Sequence, residues 1–165
     1  MSVLADVLAR TSGKPGPALS FLTLGQVVPM VSFLPRADVL RRDLNALSRS
    51  DRISWIDISA PGDGGCFALS DPVHVSGVAP PGSQKLWPKV ISAAFSETMT
   101  PEKYHATRFR FFLRHVQYLC AFGRPGGYDY FKITAGPQTL GDRYAWRGAT
   151  ASRIERPLSG DRAMG

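Results

Sequence analysis

The chain has 165 residues, of which 44% are apolar, 20% charged and 10% aromatic. That composition supports a packed core and excludes wholesale disorder. The formal net charge of +7 is unevenly placed: residues 1–102 carry nine Lys/Arg and nine Asp/Glu, whereas residues 103–165 carry eleven against four, so the last third holds all of it. No run of about 18 apolar residues occurs, so no transmembrane helix is expected. The opening MSVLADVLAR has neither a basic n-region nor an h-region and does not read as a signal peptide. Cys66 and Cys120 lie 54 residues apart, which is neither a disulfide framework nor a zinc pattern, and a reducing, cytoplasmic compartment is expected.

Val3/Val7 and Leu4/Leu8 are spaced for a helix over residues 2–10, with Gly13 as its stop. Lys14-Pro15-Gly16-Pro17 breaks the chain, and the apolar run ALSFLTL at 18–24 suits a strand buried on both faces. Residues 37–49 read as a helix with Leu40, Leu44 and Leu47 on one stripe. ISWIDI at 53–58 is a second strand, followed by the loop Ala60-Pro61-Gly62-Asp63-Gly64-Gly65. A Pro/Gly-rich connection spans 79–88 and KVISAAF at 89–95 is a third strand. Residues 100–122 read as the longest helix, with Thr100 as cap, Pro101 at the first position and Gly123 as terminator. YFKITA at 130–135 reads as a further strand or an extended segment. From Arg147 the chain is polar and weakly patterned and is expected to fray. The order predicts an α/β fold: a small, mostly parallel sheet flanked by helices over residues 1–146, with a flexible basic tail over 147–165.

No Gly-x-Ser-x-Gly elbow is present. The nearest string, Gly64-Gly65-Cys66-Phe67-Ala68, runs into Ala68-Leu69-Ser70-Asp71-Pro72, which does not support the helix a Cys66 nucleophile would need. Asp63 follows a buried strand, where open α/β sheets bind ligands, and could orient a histidine; an Asp-Gly turn is the structural alternative. Asp57 alternates with Trp55 inside the strand, and Asp71 before Pro72 starts a turn. His74, in Pro72-Val73-His74-Val75, reads as a surface residue of a short extended stretch. His105 and His115 share helical spacing with Phe109, Phe111, Phe112, Val116 and Leu119, which fits either core histidines or a general base. Cys66, His74, His105, His115 and Cys120 show no metal-ligand spacing, and no cofactor motif occurs. Lys103, Arg110 and Arg114 form a basic stripe beside aromatics, a surface that could meet anions.

SVLADVLAR followed by LSFLTLGQ resembles the helix after the nucleophile elbow, and the next strand, of α/β-hydrolase-fold proteins of lipase/esterase type. FLTLGQVVPMVSFLP, WIDISAPGDGGCFALSDPV and FLRHVQYL…YDYFKITAGP together resemble a group of uncharacterised bacterial hydrolase-like proteins, over about residues 1–145. The resemblance implies Asp63 as catalytic acid, His115 or His105 as base, an ester substrate, and a nucleophile position without counterpart here. The chain would then be the C-terminal part of the fold, inactive alone, with an exposed sheet edge able to self-associate. The alternative expectation is a non-catalytic binding module that sets its basic C-terminal third against an anionic surface.

Overall fold

The computed structural model describes residues 1–13, 16–124 and 126–157. Three apolar segments extend as strands β1 (Leu19–Leu24), β2 (Ile53–Ser59) and β3 (Lys89–Ser92) and pair in the order β1-β2-β3, all parallel. Leu19 faces Ile53 at one end of the first pair, and Leu24 faces Ile58 at the other. In the second pair Ile56 faces Lys89 and Ser59 faces Ser92. Parallel strands require helical crossovers, which cover both sheet faces, so the central strand must be apolar on both sides. β2 meets that demand. Ile53 and Trp55 enter one core with Leu8, Leu44, Leu47 and Val73, while Ile56 and Ile58 enter the other with Ile91, Phe95, Met99 and Tyr118.

The first core is roofed by α1 (Ser2–Arg10), α3 (Asp38–Arg49) and α4 (Pro72–Val75); a short α2 (Val28–Ser32) follows β1. In α3, Leu44 and Leu47 are fully buried, whereas Arg49 and Asp38 mark its basic and acidic ends. The second core is built by short helices: α5 (Phe95–Thr98), α6 (Pro101–Ala106), α7 (Phe111–His115), a 3₁₀ turn Val116–Leu119, α8 (Tyr130–Thr134) and α9 (Leu140–Tyr144). No helix among the described residues is long and apolar enough to cross a membrane.

Four expectations are corrected here. The single helix over 100–122 is instead α6, α7 and the 3₁₀ turn. Thr100 and Pro101 do start it, the Thr100 hydroxyl accepting from Lys103 N–H. It breaks because Arg114 is buried and folds back: its guanidinium donates to the carbonyls of Gly62 and Tyr104 and to Thr107 Oγ1, occupying the C-terminal acceptors of α6. Arg114 therefore leaves the proposed basic stripe. Residues 130–134 are helical, not extended, because Asp129 caps Lys132 N–H. His74 lies in helix α4, nucleated by the Asp71 cap and Pro72, and not in an extended stretch. Finally, the stretch from Arg147 is held as far as Ile154. Thr150 N–H donates to Val90 O at the outer edge of β3, and Ile154 N–H donates to Leu69 O in the loop before α4. Residues 158–165 lie outside the described residues.

Candidate active site

Asp63 sits in the loop beyond the carboxyl end of β2, with its N–H bonded to Ala60 O. His115 ends α7, in the segment that follows β3. The fold joins them: His115 Nδ1 lies 3.0 Å from Asp63 Oδ2. The carboxylate is sealed, whereas the imidazole side chain is 36% exposed, so one partner is fixed and the other accessible. Asp63 also accepts from Gly65 N–H at 2.9 Å and from the Tyr118 hydroxyl at 3.0 Å. Burial pushes its carboxyl up, but the bonds from Gly65, His115, Cys66 and Tyr118 outweigh it and hold the group below the ordinary aspartate value. An ionised carboxylate can only accept, so Nδ1 carries the ring hydrogen and a neutral imidazole keeps its lone pair on Nε2.

Two glycines seat the ring. A Cβ at Gly25, just past β1, would lie 2.8 Å from His115 Cε1 and 2.7 Å from Tyr118 Cε2. Gly25 also has φ of +53°, which only glycine adopts without strain. A Cβ at Gly65 would lie 3.2 Å from both His115 Nδ1 and Asp63 Oδ1. The site thus lies beyond the ends of β1 and β2, where open α/β sheets present ligand-binding groups, with His115 brought to it by α7.

Tyr118 is the site residue that sequence reasoning missed. It lies three residues after His115, on the same side of the turn, and its ring stands edge-on to the imidazole at 5.9 Å. Its hydroxyl accepts from Ala60 N–H at 3.0 Å while donating to Asp63, which ties the loop to the helix segment. Burial, reinforced by Cys66 and Asp63, raises the phenol far above its ordinary value and keeps it a donor. The available sequence signal was the His-x-x-Tyr spacing.

The other predicted residues are placed elsewhere. His105 is exposed on α6, its ring edge-on to Tyr104, and makes no hydrogen bond to an acid among the described residues. Cys66 lies close to the dyad, with Sγ 3.6 Å from Asp63 O and 3.8 Å from Tyr118 Oη. Burial, and then the Asp63 charge, pushes its thiol up to about 12, so it is not the thiolate a nucleophile requires. Asp57 is fully buried in β2 and bonded by Thr23. Away from the dyad, ligand atoms of Asp71, His74 and Glu155 lie within 4.8 Å of one another. Side-chain cations already neutralise that trio: Lys85 Nζ is 2.8 Å from Asp71, and Arg153 Nε is 2.6 Å from Glu155. A divalent cation would have to displace them.

No protein-family model, curated protein or solved structure matches the chain, so the functional reading rests on the geometry of this site.

Proposed function

We propose that this chain is the acid- and base-bearing C-terminal part of an α/β-hydrolase-like ester hydrolase, with a serine outside these 165 residues as nucleophile. The observation that supports it is the Asp63–His115 hydrogen bond at the carboxyl ends of the parallel strands. In this reading His115 Nε2 accepts the serine proton as the hydroxyl attacks the ester carbonyl. Asp63 holds Nδ1–H and stabilises the imidazolium. The Nε2 proton passes to the departing alkoxide; Nε2 then takes a proton from water as it attacks the acyl-serine, and returns that proton to the serine oxygen as the acid leaves. Gly25 and Gly65 fix the ring between acid and nucleophile. The outer edge of β1 is where the strand preceding the serine would pair.

The test is hydrolysis of a short-chain nitrophenyl ester. The 165-residue chain should give no turnover above buffer. The product of a reading frame extended upstream, with Gly-x-Ser-x-Gly within about 20 codons of Met1, should be active. In it, Asp63→Asn should cost about 10⁴-fold and His115→Ala up to about 10⁶-fold. Activity that survives His115→Ala, or an upstream frame without the elbow, sinks the reading.

A further inference from the structure

The turn between α6 and α7 and the first residues of α7 expose a set of large apolar side chains. Phe109 and Phe112 are each 76% exposed, Phe111 62% and Leu113 46%. Successive helical residues point about 100° apart, so Phe111, Phe112 and Leu113 fan over about 200° of arc. A rigid protein groove accepts one stripe of a helix, at i, i+3 and i+4 spacing; a helix turn that is apolar over most of its circumference fits a medium that closes around it. Along the chain, the charge between Glu102 and Asp129 has one sign. Residues 103–128 contain five Lys/Arg and no Asp or Glu. Arg108 lies over the Phe109 ring, 5.1 Å from its centroid, and neither Arg108 nor Arg110 has an acidic partner among the described residues. In a twofold dimer, a self-facing patch would set these arginines against their own copies with no acid to pair them.

We infer that Phe109, Phe111, Phe112 and Leu113 form an insertion tip that docks this protein on an anionic lipid bilayer, with Arg108 and Arg110 meeting the headgroups. Aromatic side chains enter the boundary between headgroups and acyl chains, and flanking cations add attraction to anionic lipid. The tip neighbours the candidate active site, because the Phe111 ring rests on Gly64, beside Asp63. The inference does not depend on the hydrolase reading, since it uses no property of the dyad.

The experiment is cosedimentation of the full chain with phosphatidylcholine vesicles, either pure or containing about one-third phosphatidylglycerol. Binding should require the anionic lipid and weaken from low salt to about 0.15 M. Phe109→Ser and Phe112→Ser should each lower the partition coefficient about tenfold, and Arg108→Gln and Arg110→Gln about fivefold each. All four side chains point to solvent, so the variants should keep the parent's thermal unfolding midpoint. Equal binding to pure phosphatidylcholine, or binding unchanged in Phe109→Ser/Phe112→Ser, overturns the inference. So does a lipid-free dimer that the same double variant dissociates, which would assign the tip to a second copy.

Discussion

Asp57 and Asp63 stand six residues apart on one strand and its loop, yet the fold sends their acidities in opposite directions. Asp63 gathers donors from Gly65, Tyr118 and His115 and stays ionised. Asp57 has the Thr23 hydroxyl on Oδ1, itself accepting from Trp55 Nε1 at 3.1 Å, and no partner for its buried Oδ2. Burial therefore raises it from 3.8 to about 7, with Thr23 opposing and Asp71 adding. Between those two values the folded chain holds a proton that the unfolded chain has lost, so this group's effect on stability worsens as pH rises through that window and levels off above about 7. The cost at high pH is at most about 4 kcal/mol. Asp57→Asn should remove it. Measured by urea unfolding, the stability advantage of the variant should widen by roughly 1–4 kcal/mol from about pH 4 to about pH 8, and a constant difference would exclude this origin. At this scale the sequence placed Asp57 inside a strand and Asp63 beyond one. It did not show which acid would stay charged, because burial decides Asp57, and two of the donors that hold Asp63 charged, His115 and Tyr118, are 52 and 55 residues away.

Among the elements, α4 is held by one buried side chain. Asp71 accepts from Val73 N–H and His74 N–H at the start of that short helix, and its other oxygen meets Lys85 Nζ at 2.8 Å, a side chain only 13% exposed. Asp71→Ala should cost about 3–5 kcal/mol, combining a lost cap with a cation left behind in a poorly hydrated site. Adding Lys85→Met to that variant should recover part of the loss; strictly additive costs would show that the two residues are not coupled. Elements with a strong internal pattern were readable from the chain. The helix over 37–49 and the strands over 18–24 and 53–58 appear within a residue or two, because Leu44, Leu47, Ile53 and Trp55 carry both the period and the core. Elements decided by distant or single-residue contacts were not. The break after Ala106 is set by a guanidinium eight residues later in the chain, and α8 by one capping aspartate. In the site, Asp63 and one of two histidines were legible as residue types. Only the turn of the chain around Arg114 decides that His115, and not His105, reaches the acid.

The molecule as a whole protects its two sheet edges differently. Beyond β3, Thr150 N–H bonds Val90 O, and its hydroxyl accepts from Ser92 N–H at 2.9 Å, so the segment around Thr150 acts as an irregular cover. Beyond β1, no further strand pairs among the described residues, and Phe21, Leu22 and Leu24 are only half-buried. A chain ending at Arg147, compared with one ending at Pro157, loses the first cover. It should unfold at lower denaturant and scatter more light with increasing concentration, as an opened edge invites pairing. Equal midpoints and equal scattering would mean that the cover adds nothing to the fold.

The glycine seat of His115 also bears on how the chain reaches this state. The imidazole touches Gly25 after β1 and Asp63 and Gly65 after β2, and itself follows β3. The strand partners Leu19 and Ile53 are 34 residues apart, and Ile56 and Lys89 are 33 apart. Such nonlocal closures belong to the slower range of folding, roughly milliseconds to seconds. The ring finds its contacts only when both closures are complete, whereas Trp55 is enclosed by the opposite core. In a chain that keeps Trp55 as its single tryptophan, with Trp87→Phe and Trp146→Phe, the His115 ring protons followed against fluorescence therefore clock the closing of the site separately from the collapse of the first core.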